Sequence, residues 1–273
     1  MTGLPQAASA SMVSIQIGGV SVGILSDNPA FLEMLERRYA GFLAAADRPD
    51  FQLEVRLHEP VEPAGADEDL RVTRVGESWL LERGDFHATW NSSAARGTVF
   101  QSNSPYAIDS VLRIVHTLIL ARRGGFLVHA ASMIRNRFAF LLAGVSGAGK
   151  TTIARLAPAD AKLLSDEISY VVRREAGQYW ACGTPFAGEL ARIGENLTAP
   201  IKTLFLLEQG SKNRITPVAS ADAARLLLRN ILFFAADPGM VKLVFQSACE
   251  FAEKVPVRRL CFVPDQRVWE MIG

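Results

Sequence analysis

Residues 138–151 read FAFLLAGVSGAGKT: an apolar run, Phe138–Ala143, that passes directly into Gly144-Val145-Ser146-Gly147-Ala148-Gly149-Lys150-Thr151. The second part fits the pattern G-x-x-x-x-G-K-[ST] at every position. Its chemistry is narrow. Successive backbone N–H groups in a glycine-rich turn form an anion-binding nest, and a following helix adds its positive end. A lysine at the position of Lys150 reaches the β- and γ-phosphates, and a hydroxyl at Thr151 holds Mg²⁺. The stretch predicts a strand, a phosphate-cradling loop and a helix, and hence a nucleoside triphosphate site. Its residues are Gly144, Val145, Ser146, Gly147, Ala148, Gly149, Lys150, Thr151 and Thr152.

Working outward, Phe126–Ile134 is a second apolar strand, joined to Phe138–Ala143 at Arg135-Asn136-Arg137. So short a connection makes the pair antiparallel, because a parallel pair needs a long crossover. The chain thus enters the loop from a hairpin rather than from a βαβ unit. Pro158 stops the helix after the loop. Lys162–Leu164 follows as a brief strand, expected beside the loop strand, and runs into Ser165-Asp166-Glu167. Ile168–Arg174 and Gln178–Cys182 form a second hairpin. Strands are expected at Thr203–Glu208, Arg214–Val218 and Val257–Val263. Helices are expected from Ser220, as cap, through Phe234, and from Asp237-Pro238 to Lys254, with a short segment around Trp269.

Phosphoryl transfer needs a phosphate cradle, a metal bridging the phosphates, and a group that orients or deprotonates the acceptor. Adjacent carboxylates at a strand end point in different directions, so one of Asp166 and Glu167 can ligate metal while the other takes a proton. The same three residues also suit a plain polar turn. His129, within FLVHAAS, is either a satisfied core histidine or a side chain near the γ-phosphate. The loop GTPFAGE, residues 183–189, offers Glu189 as a second metal contact, and Arg192 follows it; by composition it is also an ordinary loop.

Ahead of the helix Pro105–Arg123, the first 104 residues read as a separate, smaller α+β domain. Val13, Ile15 and Ile17 alternate, Gly18-Gly19 turns the chain, and Val20–Leu25 returns. Asn28-Pro29 opens a helix carrying Phe31, Met34, Leu35, Phe42 and Leu43 at helical spacing. A strand follows at Phe51–Leu57, then a loop from Pro60 to Asp69, then strands at Trp79–Glu82, Phe86–Trp90 and Thr98–Gln101.

Composition sets the outer bounds. The chain has 273 residues, 49% of them hydrophobic and 21% charged, which suits one large or two ordinary folded domains. A formal charge of +1 offers no reason to expect nucleic acid. Cys182, Cys249 and Cys261 lack metal-ligand spacing. The opening MTGLPQAASAS lacks a basic segment followed by an apolar one, and arginines interrupt each long apolar stretch. The expectation is a soluble, cytoplasmic protein with no membrane partner. No Asn-Lys-x-Asp guanine-reading motif follows the loop.

The run LVHAASMIRNRFAFLLAGVSGAGKTTIARL, residues 127–156, with AKLLSDE, residues 161–167, resembles the catalytic domain of HPr kinase/phosphorylase and its kinase-like relatives. These share a nucleotide-binding core with ATP-dependent phosphoenolpyruvate carboxykinase. GTPFAGE, LFLLEQGSKNRI (204–215) and RRLCFVPDQRVWEMI (258–272) look like the kinase-related proteins rather than the bifunctional enzyme. The resemblance covers residues 105–273 and implies an α/β fold, a mixed α+β sheet with a phosphate-loop core. It also implies ATP and Mg²⁺ as cofactors and transfer of the γ-phosphoryl group to a hydroxyl, serine or threonine, of a protein or peptide. By position it makes Asp166 the acceptor-activating base, assisted by His129, with Lys150 gripping phosphate and Thr151 and Glu167 holding metal. The acidic pair is Asp-Glu where the family's enzymes carry Asp-Asp, and the glycine-rich loop that serves phosphorolysis is missing. The N-terminal domain is unlike the family's regulatory domain and is a candidate for acceptor or partner recognition. The competing expectation is a nucleotide-gated binding module with little or no transfer. A homo-oligomer is compatible with either.

Overall fold

A computed structural model describes residues 11–45, 48–58, 70–186 and 193–272. It is a mixed α+β protein with six α-helices among the described residues. The chain divides into two compact units between Arg113 and Ile114. That division falls inside the helix that begins at Pro105, where the sequence reading begins its second domain. Among the described residues no helix is long and apolar enough to cross a membrane.

In the first unit, β1 (Ser11–Ile17) and β2 (Val20–Ser26) form a hairpin. Gly18 and Gly19 turn it with φ of +60° and +81°, the conformation a two-residue hairpin loop requires. Asn28 caps α1 (Pro29–Arg38) by accepting the Phe31 N–H at 3.0 Å. This helix is the crossover to β3 (Phe51–Leu57), which lies parallel to β2. The helix ends sooner than its apolar spacing predicts. Phe42 is buried from a separate 3-10 turn, Ala40–Phe42, while Leu43 is 47% exposed. Gly41, a poor helix former, sits in that turn. β4 (Arg71–Val75), absent from the sequence reading, β5 (Ser78–Arg83), β6 (Phe86–Asn91) and β7 (Arg96–Gln101) form an antiparallel meander. The sheet order is β1-β2-β3-β7-β6-β5-β4. At the start of α2 (Pro105–Arg122), the buried Asp109 carboxylate accepts hydrogen bonds from the Arg38 guanidinium and the Tyr39 hydroxyl. The expected loop from Pro60 to Asp69 lies outside the described residues.

The second unit is built around the expected hairpin. β8 (Phe126–Arg135) and β9 (Phe138–Ala143) pair antiparallel, and Asn136 and Arg137 turn the chain with positive φ. After α3 (Lys150–Arg155) come β10 (Lys162–Ser165), β11 (Ile168–Arg173), β12 (Tyr179–Cys182) and the long β13 (Thr198–Gln209). Then follow β14 (Arg214–Pro217), α4 (Ser220–Leu228), β15 (Ile231–Leu232), α5 (Pro238–Lys254), β16 (Val257–Phe262) and α6 (Val268–Ile272). Strand pairing runs from β8 through β11, β12, β13 and β9 back to β8, a closed circuit. β9 lies between β8 and β13 and is parallel to β13, which is parallel to β16.

β9 is buried on both faces, which is why its sequence is continuously apolar. Ala139, Leu141 and Ala143 pack in a core with Leu227 of α4 and Phe251 of α5. Phe140 and Leu142 pack in another with Ile153 of α3 and Trp269 of α6.

Three expectations for this second unit are corrected. β10 pairs with β8, not with the loop strand, because β13 occupies the other edge of β9. The helix from Ser220 stops at Leu228 instead of Phe234, because Ile231 and Leu232 pair with Val128 and Leu127 of β8. Its cap is Ala219, and no side chain caps it, so Ser220 does not serve that role.

His116 is fully buried, with Nδ1 2.9 Å from the Tyr170 hydroxyl. Burial, and secondarily the charge of Arg123, pushes its pKa down to about 3. The unfolded chain therefore binds a proton below about 6.5 that the folded chain refuses until about 3. Stability contributed by the neutral ring is complete above pH 6.5 and declines as pH falls through that window. At pH 4.5 the loss is on the order of 2–3 kcal/mol. Urea unfolding at pH 7 and 4.5 measures it, and His116→Gln should shrink the difference by that amount; an unchanged difference contradicts the assignment.

Candidate functional site

Ala143 hands the chain from β9 to the loop at residues 144–149. Two glycines there adopt positive φ, Gly147 at +78° and Gly149 at +100°, a region other residues enter only with strain. Space excludes side chains at both ends of the loop. A Cβ on Gly144 would meet the Ala148 Cβ at 2.7 Å, and one on Gly149 would meet the Phe262 ring at 2.6 Å. The Ala148 N–H donates to the Val145 carbonyl at 3.1 Å and closes a turn whose tip is Ser146-Gly147. Lys150, the first residue of α3, is largely buried. Its ammonium donates to the carbonyls of Gly144 at 2.9 Å and Val145 at 3.3 Å, which fixes it over the loop.

The carboxylates come from an interruption in one strand path. β10 and β11 both run antiparallel to β8, with Ser165 opposite Ser132 and Ile168 opposite His129. Between them Asp166 and Glu167 leave the ladder. Ser165 makes the break, its hydroxyl accepting the N–H groups of Ile168 at 2.9 Å and Glu167 at 3.3 Å. Asp166 is buried and Glu167 half-buried. On β8, Val128 and Ala130 point into the core, so the alternation of a strand sends His129 the other way. The His129 N–H is held by the Asn230 carbonyl at 2.7 Å.

A cavity of about 390 Å³ collects these groups. Its lining includes His129, Ser146, Gly147, Gly149, Lys150, Thr151, Thr152, Asp166 and Glu167, and in addition Gln209. Gly144, Val145 and Ala148 shape the loop without lining the cavity. Glu189 and Arg192 lie outside the described residues. The cavity has two sides. His129, Asp166 and Glu167 reach it from β8 and the β10–β11 break, and Gln209 from the end of β13 across β9. Its side-chain oxygens are the hydroxyls of Ser146, Thr151 and Thr152, the two carboxylates and the Gln209 amide; among the described residues no group of three or more His, Cys, Asp or Glu side chains is arranged to hold a metal ion. A polar groove over the carboxyl ends of parallel strands is a usual place for ligands in α/β sheets.

Sequence reasoning missed Ser165 as the organiser of the break and Gln209 altogether. The available signal for Gln209 was its place as the last polar residue before Gly210 at the end of an apolar strand. That β13 lies beside β9 is a fact of pairing, which no local pattern carries.

The family model described as "ScmC: SynChlorMet cassette protein ScmC" matches residues 102–273. The chain belongs to the ScmC family. The matched segment contains the whole of this site. Among curated proteins none matches. Among solved structures, the Hpr(Ser) kinase/phosphatase from Coxiella burnetii is similar over 45% of this chain and 87% of its own, at 13% identity and a TM-score of 0.23.

Gly149→Ala forces a side chain into the left-handed region and into the Phe262 ring. It should lower unfolding stability by about 1–3 kcal/mol, read by urea denaturation. Gly147→Ala meets no atom within 4 Å and carries only the backbone cost, so its loss should be the smaller of the two.

Proposed function

We propose that this chain is an ATP- and Mg²⁺-dependent kinase that transfers the γ-phosphoryl group to a hydroxyl, serine or threonine, of a protein or peptide. The observation that carries the reading is the convergence of Lys150, Thr151, Asp166, Glu167 and His129 on one cavity. The cradle and the proton-handling groups arise from separate strands, and a site that only held phosphate has no need of the second set.

In the proposed reaction Asp166 accepts the proton of the acceptor hydroxyl as its oxygen attacks the γ-phosphorus. The bond between that phosphorus and the β–γ bridging oxygen breaks, and ADP leaves with the electron pair. Lys150 offsets negative charge on the β- and γ-phosphates, and His129 holds the acceptor end of the site with Asp166. The Thr151 hydroxyl and the Glu167 carboxylate, hard oxygen donors lining the same cavity, fit Mg²⁺, which takes few protein oxygens and the rest from phosphates and water. When bound, that ion neutralises charge developing on the phosphate oxygens. The N-terminal domain, residues 1–104, nearly all of it outside the family match, is the candidate for recognising the acceptor or a partner. The family is described as a cassette protein, so the acceptors to try first are the proteins encoded beside it.

Incubation of the full chain with Mg-ATP and those acceptors should yield a phosphorylated product detected by mass spectrometry. Asp166→Asn should lower the rate by about 10²–10⁴-fold while leaving the ATP dissociation constant within a few-fold. An unchanged rate removes Asp166 as the base. Nucleotide binding with no product across acceptors favours a nucleotide-gated binding module instead.

A further inference from the structure

The two ends of the phosphate loop are fixed by packing, and its tip is not. Gly144 rests against Ala148 and Gly149 against Phe262, whereas a Cβ on Gly147 would meet nothing within 4 Å. Val145, Ser146 and Gly147 are exposed. Within the loop the Ala148–Val145 hydrogen bond closes the turn, and the Lys150 ammonium holds the carbonyls at its base. Among the described residues one hydrogen bond reaches the tip from another strand: the Gln209 side-chain amide donates to the Gly147 carbonyl at 2.7 Å.

The donor stands on rigid ground. Gln209 is the last residue of β13, paired with Phe262 in the parallel ladder to β16. Phe262 is the residue packed under Gly149. One rung of the sheet therefore supports the loop twice, by its ring below and by its amide at the tip. The peptide group whose carbonyl Gln209 holds is flanked by a glycine and so turns over readily, and it carries the Ala148 N–H that closes the turn onto Val145, so a flip would open the loop. Holding the Gly147 carbonyl fixes that plane before any ligand arrives, so less ordering entropy is lost on binding.

We propose that Gln209 is the positioning residue of the phosphate loop, raising affinity for the polyphosphate portion of a nucleotide by holding the loop tip rather than by touching the base. The proposal rests on the nucleotide-binding reading given above. It assigns Gln209 to the loop and not to the acceptor, whose groups lie on the opposite side of β9.

The test uses the full chain with Gln209→Met, which keeps length and removes the donor, and Gln209→Ala. Calorimetry measures dissociation constants for Mg-ADP and for inorganic tripolyphosphate, and hydrogen exchange follows the amides of residues 145–148. Loss of one neutral hydrogen bond predicts roughly three- to ten-fold weaker binding, equal for the two ligands, in both variants. Exchange at the tip should quicken, and the ligand-free melting temperature should hold. Weakening confined to Mg-ADP overturns the proposal and makes Gln209 a nucleoside contact. Unchanged affinity and exchange overturn it outright. A wild-type chain that binds neither ligand overturns the nucleotide reading itself.

Discussion

The second unit depends on the confinement of one strand. β9 is six residues long, is hydrogen-bonded on both edges by β8 and β13, and is covered on both faces by helices. A strand so enclosed has no freedom of register, because slipping by one residue would exchange the side chains that face α3 with those that face α5. The point at which Ala143 releases the chain is thereby set in space. The loop's shape then follows from two glycines packed against Ala148 and Phe262.

The carboxylates depend on the same confinement by another route. β8 carries β10 and β11 along one edge and β9 and β15 along the other. Because β10 and β11 continue one another against β8, the gap between them is a local defect in an otherwise continuous ladder. Two backbone groups must be satisfied there without a strand partner, and the Ser165 hydroxyl supplies that acceptor. A break of this kind aims side chains without moving the flanking strands. His129 lies one rung away on β8, so the histidine, the carboxylates and the loop share a single rigid reference.

The first unit follows a different logic. A βαβ turn, β2–α1–β3, is extended by a meander, and the unit buries a charged group, Asp109, under Arg38 and Tyr39. The pKa of the Tyr39 hydroxyl is raised well above its usual value by burial, and further by the Asp109 carboxylate, so it remains a donor to that carboxylate. Removing one partner from such a buried group costs far more than replacing the whole set by apolar residues of similar shape.

Local pattern alone determined the strand–loop–helix at Phe138–Thr151, the hairpin ahead of it, the Asn28 cap and that of Asp237, whose carboxylate accepts the Met240 N–H at the start of α5, and the residue types that could carry chemistry. Each follows from spacing within about ten residues: glycines where φ is positive, proline where a helix must stop, alternation where one face is buried. Tertiary structure decided which strand lies beside which, and so placed β10 against β8, cut the helix at Leu228 in favour of a two-residue pairing with β8, and brought Gln209 over the loop. Those outcomes turn on contacts between segments from 28 to 105 residues apart, set by which edges and faces remain open once the core has closed, and no local periodicity encodes them.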